Sequence, residues 1–301
     1  MIKSIAITNY LGESIELELA RPEKSGFVVE SVEGLGAGKA TVNVTEIVTN
    51  DGAIHNSSRI TARNILLNLK FYSDTSVEDV RLKTYRYFPL KKKIKMVIET
   101  DNRICEIEGI VESNEPNIFS KEEGTTISII CPDPSFYALT EEDVIDIEHK
   151  SSTSEFEFPF SNESLVGSMM VFGTLAVSKE QTILYKGDAE TGVRITVHAL
   201  GDASDITIRN LTTNEIMRID TDRIEGGKIS QGDDIIVSTV KGKKSVTLLR
   251  DGKSVNILNC LARNTDWFQL TRGSNTFTFD ASQGLRNLEF KIESRVVYEG
   301  V

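Results

Sequence analysis

The segment SVTLLRDGKSVNIL, residues 245–258, decides the fold, because Asp251-Gly252 separates two stretches in which apolar and polar residues alternate. An Asp-Gly pair favours a two-residue type I′ turn, in which both residues take positive φ. Such a turn fixes the register of the hairpin and predicts three cross-strand pairs: Arg250 with Lys253, Leu248 with Val255, and Val246 with Ile257. The last two pairs share one face, so we expect that face to be buried.

Alternating segments of this kind fill the second half of the chain. They recur about every 8–12 residues, a spacing typical of antiparallel β-sandwiches. The strands are predicted at residues 169–172, 175–177, 182–185, 194–199, 206–210, 216–220, 235–240, 276–280 and 288–293. We therefore predict an all-β second domain.

The first half is also rich in predicted strands, at residues 15–19, 42–48, 65–71, 95–99, 104–111 and 126–131. Asp101-Asn102 is the predicted turn between two of them, and Gly109 is a predicted bulge position. Helix signals are few: residues 75–81 suit a short helix, and Ser120 with Glu123 has the spacing of a capping box. The chain is predicted to be mainly β, with a sandwich-like or barrel-like first domain that holds a short helix.

The length of 301 residues suits two domains of about 150 residues each. Pro132 and Pro134 stop the last strand of the first half, and the polar segment EHKSSTSE at residues 148–155 has the composition of an exposed loop. We place the two domains at residues 1–145 and 146–301.

The net charge of −11 argues against a nucleic-acid-binding protein, because binding to DNA is driven by Lys and Arg that displace counterions. The acidity is uneven. Residues 1–150 carry 17 basic and 25 acidic residues, a net charge of −8, whereas residues 151–301 carry 17 and 20, a net charge of −3.

The three cysteines, Cys105, Cys131 and Cys260, lie far apart in apolar segments and lack C-x-x-C spacing. We predict buried free thiols in a reducing cytoplasm, neither a disulfide framework nor a zinc site. Charged residues interrupt the first twenty residues before a signal-peptide core forms, and no stretch has the roughly 20 apolar residues of a membrane span. The sequence therefore predicts a soluble chain with no membrane partner.

The glycine-rich segment GLGAGKA, residues 34–40, does not fit a phosphate-binding loop. Such a loop has four residues between its first glycine and a Gly-Lys pair, then Ser or Thr, and then a helix. Here three residues intervene, Ala40 replaces the hydroxyl residue, and a strand follows. We predict a flexible loop between two strands.

The chain carries no other catalytic, metal or cofactor motif. His55, His149 and His198 each lack a second ligand three or four residues away, which leaves only a metal site assembled from distant strands. Serine-nucleophile motifs are absent, and 45 acidic residues define no particular pair. We predict a protein that is not an enzyme and has no catalytic, cofactor-binding or metal-binding residues and no cofactor.

Two surface features have two interpretations each. The basic run at Lys91, Lys92, Lys93 and Lys95 suits either an anionic partner or, as we favour, lysines that protect an exposed sheet edge. Trp267 and Phe268 suit either a sugar-stacking surface or the core. Adjacent strand residues point to opposite faces, so at most one of them is a core residue, and we favour internal packing without sugar binding.

The order of several weak motifs is more informative than any one of them. In the second half it runs through Gly187-Asp-Ala-Glu-Thr-Gly192, ITIRNLTTNE at 206–215, Gly232-Asp-Asp-Ile235, the Asp251-Gly252 turn, Trp267-Phe-Gln-Leu270 and Gly273-Ser-Asn275. In the first half it runs through Asp51-Gly52, Arg59, Arg63, Arg81, Arg86, Ile107-Glu-Gly109 and SIICPDPS at 128–135. Over nearly the whole chain, this order resembles the distal tail proteins of siphophages.

That resemblance implies a structural hub at the tip of a phage tail. Proteins of this family form a homohexameric ring through a β-rich first domain, and a galectin-like or carbohydrate-module-like sandwich decorates its outside. The ring joins the major tail or tube protein to a tail-associated lysin or fibre protein, and in some phages it anchors receptor-binding proteins. The resemblance implies assembly in the host bacterial cytoplasm, location at the virion tail tip, and passage of DNA through the ring without specific binding. The alternative is a carbohydrate-binding module for host cell-wall recognition.

Overall fold

A computed structural model describes residues 1–47, 51–72, 76–140, 144–150 and 180–301. The chain divides into two units: Met1–Asp143 with Val297–Val301, and Val144–Val296. The sequence analysis placed the last five residues in the second domain. They lie in the first unit because Val297 and Tyr298 pair with a strand of that unit.

The first unit is built on a curled antiparallel sheet. Its strands before the last five residues are β1 Ile2–Thr8, β2 Ser14–Glu18, β3 Phe27–Glu33, β4 Ala40–Glu46, β5 Ala53–Ile60, β6 Arg63–Phe71, β7 Lys93–Thr100, β8 Ile104–Asn117, β9 Gly124–Cys131 and β10 Phe136–Ala138. The main path is β2-β1-β7-β8-β9-β6-β3, and its end strands β2 and β3 contact each other. The sheet therefore forms an open barrel around a core that includes Ile5, Leu67, Ile98 and Ile127.

One helix, α1 (Val77–Tyr87), lies between β6 and β7. The Ser76 hydroxyl caps it by accepting the Asp79 backbone N–H at 3.2 Å. Val80 and Thr84 form its buried face, and the Thr84 hydroxyl accepts a hydrogen bond from Asn114 on β8 at 3.2 Å. The short helix predicted over residues 75–81 is present and extends one and a half turns further, because this buried threonine has a partner.

Two local predictions in the first unit are wrong. Residues 118–123 form the turn between β8 and β9 and contain no helix, and the Ser120 hydroxyl donates to the Glu122 carbonyl within that turn. Gly109 is not a bulge, since the register of β8 shifts between Val111 and Ser113. A Cβ at residue 109 would collide with the Ile129 side chain, which explains the glycine.

The second unit is a β-sandwich. Its described strands are β11 Val144–Lys150, β12 Glu180–Tyr185, β13 Thr191–Gly192, β14 Arg194–Ala199, β15 Ser204–Asn210, β16 Glu215–Ile219, β17 Asp234–Ser238, β18 Ser245–Arg250, β19 Lys253–Asn256, β20 Gln269–Leu270, β21 Gly273–Gln283 and β22 Leu288–Arg295; β23 Val297–Tyr298 then returns to the first unit. One sheet has the order β11-β22-β14-β17-β18-β19 and the other has β12-β21-β15-β16. Phe279 of β21 stacks on Phe290 of β22 at 4.1 Å between ring centroids, so the two sheets pack face to face.

The mainly antiparallel β fold and the sandwich are confirmed, and the strands predicted from residue 182 onward are present with small shifts at their ends. The strands predicted at residues 169–172 and 175–177 lie outside the described residues.

The Asp251-Gly252 hairpin has the predicted turn and register. Asp251 has φ +51° and Gly252 has φ +71°, and Leu248 opposes Val255. The expectation that the face shared by these pairs is buried is wrong for Val255, which is 50% exposed. β19 is the outermost strand of a six-stranded sheet that faces only four strands, so its side chains extend beyond the covered area.

An ion pair joins this hairpin to the preceding turn. The Arg250 guanidinium donates to both carboxylate oxygens of Asp233, with Nε at 3.0 Å from Oδ1. Burial by itself raises the pKa of Asp233, but the bonds from Arg250 and from the Ser230 N–H outweigh burial and hold the pKa below its ordinary value. The carboxylate therefore stays charged and fixes the turn against β18.

The Phe279–Phe290 stack tests the sandwich. Phe279→Ala is expected to lower the unfolding free energy of the second unit by about 3–5 kcal/mol, because it leaves a cavity between the sheets. Denaturant unfolding followed by the fluorescence of Trp267, the chain's single tryptophan, measures this unit. Val255→Ala, at a half-exposed edge position, is the control and is expected to cost less than about 1 kcal/mol. Equal losses in the two variants would contradict the described packing.

Candidate assembly site

β4 and β5 form a two-stranded arm that stands apart from the sheet of the first unit. They pair with each other and with no other described strand, and all of their residues are exposed. A two-stranded hairpin is marginally stable by itself in water. An arm of this kind therefore suits contact with another molecule.

The arm has one apolar and one polar face. Ala40 opposes Ile60 and Val42 opposes Ser58, so these residues share a face that continues to Val44 after a bulge. Val42, Val44 and Ile60 are each more than half exposed. The opposite face is polar except for Ile54 and carries Thr41, Asn43, Thr45, Ser57 and Arg59, with a 3.0 Å hydrogen bond from Asn43 to Ser57.

The arm emerges from the glycine-rich segment at residues 34–39. The structure confirms that this segment is a loop between strands, β3 and β4. Its carbonyls at Gly34 and Gly36 accept hydrogen bonds from the Arg63 guanidinium. Carbonyl oxygens that face a cation are the opposite of the N–H groups that a phosphate-binding loop presents.

Arg63 is the centre of this region. Its guanidinium also donates to the carbonyls of Pro134 and Glu299, each at 2.8 Å, and it lies 4.6 Å from the Phe136 ring centroid. The residue is 7% exposed, and among the described residues no carboxylate pairs with it. Desolvation lowers the pKa of Arg63 below its ordinary value.

The last five residues, Val297–Val301, reach the same loop. β23 pairs with β10 through Tyr298 opposite Phe136, and the Arg103 guanidinium donates to the Gly300 carbonyl at 3.1 Å. The Val301 N–H donates to the Leu35 carbonyl at 3.0 Å. We call these five residues the strap.

A second exposed apolar surface lies beside α1. The Asn9 side chain donates to the Arg86 carbonyl at 3.0 Å, which holds the β1–β2 turn against the end of the helix. The Lys92 ammonium lies 5.2 Å from the Tyr10 ring centroid. The exposed apolar residues of this turn, of α1 and of the segment after it are together called the helix-side patch: Tyr10, Leu11, Leu82, Tyr85 and Leu90.

The predicted role of the lysine run as edge protection is wrong. β7 lies between β1 and β8 and is not an edge strand. Lys93 and Lys95 pair with Glu108 and Glu106 on the neighbouring strand β8. The strand order of the sheet could not be predicted from the sequence, because lysines can alternate with buried residues both on inner strands and on edge strands.

The remaining candidate residues do not converge. His55 is exposed on the arm, the His149 side chain lies outside the described residues, and His198 Nδ1 is 2.6 Å from Asp234 Oδ1. In the described part of the chain, no group of three His, Cys, Asp or Glu residues could hold a metal ion. Phe268 is fully buried, whereas Trp267 is half-buried with the Lys244 ammonium 5.1 Å from its ring centroid. Lys244 covers one face of the ring that a sugar would need.

The three cysteines are free and buried, as predicted. Burial raises the pKa of the Cys105 and Cys131 thiols to about 11. Both are therefore protonated and unreactive at neutral pH.

Comparison with known proteins identifies the second unit. Residues 186–293 match the family model of the siphovirus-type tail component, C-terminal domain. Over these residues the second unit is similar to a siphovirus-type tail domain, which agrees with the resemblance to siphophage distal tail proteins.

One solved structure shows a similar fold over 97% of this chain. SPP1 Dit, described as a paradigm of the hub adsorption apparatus in phages that infect Gram-positive hosts, is similar with a TM-score of 0.63 and 13% identity, over 97% of this chain and 98% of that chain. A chain of the phage P2 baseplate in its activated conformation with calcium is similar with a TM-score of 0.45 and 14% identity, over 97% and 98% of the two chains. Comparison with curated proteins finds no match.

β5, and therefore the arm, was not predicted from the sequence. Residues 55–59 are polar, so β5 lacks the apolar alternation that predicted the other strands. The available signals were Asp51-Gly52, a turn pair between β4 and β5, and the alternation of Val42 with Val44.

The base of the arm gives a first prediction for the site. Gly34 has φ +86°, and a Cβ there would collide with the Asn64 carbonyl. Gly34→Ala is therefore expected to lower the unfolding free energy of the first unit by at least about 1–2 kcal/mol. Gly36→Ala is the matched control, since its Cβ would meet no atom within 4 Å. Thermal unfolding of both variants checks this, and an equal loss would contradict the described loop.

The helix-side patch gives a prediction on pH. Hydrogen bonds from Arg86 and Asn9 lower the pKa of Glu13 to about 2. Because the folded pKa is depressed, the stabilisation is complete above the ordinary value near 4.5 and is lost as the pH falls towards 2. We expect Arg86→Gln to return the Glu13 pKa towards its ordinary value in an NMR titration. Lys83→Gln removes an equal charge from the same helix without touching Glu13, and a similar shift in that variant would contradict the assignment.

Proposed function

We propose that this chain is the structural hub of a siphophage tail tip, in which six copies close a ring through the arm. The observation that carries the proposal is the apolar face of the arm, which no described part of the chain covers. Exposed apolar surface of this kind marks interaction sites. The similarity of the fold to SPP1 Dit supports the same role.

The first unit carries two surfaces that complement each other. The apolar face of the arm ends at Glu46. Basic residues Lys83, Lys91 and Lys92 lie next to members of the helix-side patch in the sequence, and the Lys92 ammonium contacts the Tyr10 ring. When the arm of one copy packs on the patch of the next, the contact is heterologous. Repetition of a heterologous contact closes a ring when the rotation between copies divides a full turn evenly.

The partners follow from position in the tail. The ring connects the major tail or tube protein to a tail-associated lysin or fibre protein, and the outer sandwich is available to receptor-binding proteins. The net charge of −8 over residues 1–150 suits a channel that DNA traverses without binding, since like charges repel phosphate. Copies assemble in the host bacterial cytoplasm, and the hub catalyses no reaction. Among the described residues, no helix is long and apolar enough to cross a membrane.

Charge placed on the apolar face of the arm tests the contact. Val42→Asp with Val44→Asp is expected to convert the assembly to monomers, because two carboxylates would replace apolar side chains that pack on the apolar residues of the patch. The arm contacts little of its own unit, so circular dichroism should stay unchanged. Light scattering coupled to size-exclusion chromatography measures the mass.

The control is Thr41→Asp with Asn43→Asp, which adds the same charge to the polar face of the same strand. We expect this variant to keep the assembly. An assembly that survives both double variants rules out the arm as the contact, and loss of assembly in both shows that charge alone disrupts it.

A further inference from the structure

We propose that the strap fixes the direction in which the arm projects, so that ring closure depends on residues about 260 positions away from the arm. The inference rests on the proposed function, because it concerns how the same contact is made. Arg63 then acts as a positioning residue that couples the strap to the base of the arm.

The arm has few attachments of its own. At its base the Thr61 N–H and hydroxyl reach the Lys39 carbonyl at 3.1 and 3.2 Å. Beyond that point β4 and β5 pair only with each other among the described strands. The orientation of the arm is therefore set by its two connections to the sheet: Thr61-Ala62 before β6, and the loop at residues 34–39, which contains three glycines and has high intrinsic freedom.

The strap and Arg63 together hold three consecutive carbonyls of that loop. Arg63 takes the carbonyls of Gly34 and Gly36, and the Val301 N–H takes the carbonyl of Leu35 between them. Gly300 packs directly on the loop, since a Cβ there would lie 3.1 Å from the Gly36 carbonyl carbon. Each of these three consecutive carbonyls is therefore held by a hydrogen bond.

The strap is anchored to the sheet independently of the loop. β23 pairs with β10, and the Arg103 guanidinium lies 4.1 Å from the Tyr298 ring centroid. Arg63 joins the two attachments by donating to the Glu299 carbonyl as well as to the loop. The strap is thus a brace between a rigid sheet and a flexible loop.

A braced arm binds its neighbour more tightly than a free one. Holding a binding segment in its bound orientation removes the entropy that would otherwise be lost on association. Release of the strap should weaken the ring without removing any group from the contact itself.

The decisive variant is a full chain shortened by residues 299–301, which keeps β23 and its pairing with β10. We expect the midpoint concentration for ring dissociation to rise at least roughly tenfold, measured by mass photometry on dilution. Val301→Pro, which removes only the N–H to Leu35, should give a smaller rise in the same direction. Val301→Ala keeps that N–H and should leave the midpoint unchanged.

The orientation of the arm can be measured directly, and a substitution that only lowers the stability of the fold should not change it. Spin labels at Ser57→Cys on the arm and Glu115→Cys on β8 report the distance between arm and sheet; the three native thiols are at most 1% exposed. In the monomeric Val42→Asp, Val44→Asp background we expect a narrow distance distribution that broadens when residues 299–301 are removed. In the same background Val80→Ala, a destabilising change at the buried face of α1, should leave the distance distribution narrow.

The outcomes separate the strap from the ring. If the arm variants dissociate the ring while the shortened chain keeps both its midpoint and a narrow distribution, the strap inference is overturned and the ring proposal stands. If the ring survives the arm variants, the proposed contact fails, and the assembly role of the strap fails with it. An equal broadening in Val80→Ala also overturns the strap inference, because it assigns the effect to lost stability.

Discussion

The buried guanidinium of Arg63 holds together the region on which the proposed assembly depends. It donates to four backbone carbonyls, at Gly34, Gly36, Pro134 and Glu299. A charge removed from water is costly unless hydrogen bonds replace its hydration, and a hydrogen bond to a charged group contributes about 1.5–3 kcal/mol. Arginine suits this position because its fixed fork of five donors can serve several acceptors at once.

Because all four acceptors are backbone atoms, Arg63 constrains the path of the backbone at these positions more than the identity of their side chains. The loop before β4, the segment before β10 and the strap are brought together at one point of the first unit. The open barrel supplies the rigid support, since Arg63 begins β6 between β9 and β3. The arm, in contrast, consists of two described strands that pair only with each other and whose residues are all exposed. A flexible segment on a rigid frame is an arrangement suited to assembly, in which the frame limits the entropy that the flexible part loses.

Local features were predictable from the sequence, and long-range ones were not. The Asp251-Gly252 turn and its register follow from neighbouring residues, and the structure has both. The exposure of Val255 depends on how many strands of the opposite sheet cover β19. A local sequence pattern does not carry that information. The lysines of β7 could be placed on a strand but not in the middle of a sheet, because strand order comes from pairing with β1, far away in sequence.

The candidate site shows the same division. The glycine-rich loop could be recognised as a loop from its composition, but the arm that follows was missed because β5 is polar on both sides of Asn56. The partners of Arg63 are up to 236 residues away, so no spacing in the sequence could reveal them. Native mass spectrometry of the unmodified chain tests the proposed ring of six copies most directly. It should show one species of about 200 kDa, six times the 33.4 kDa of a single chain. A single-chain mass at every concentration tested would contradict the ring.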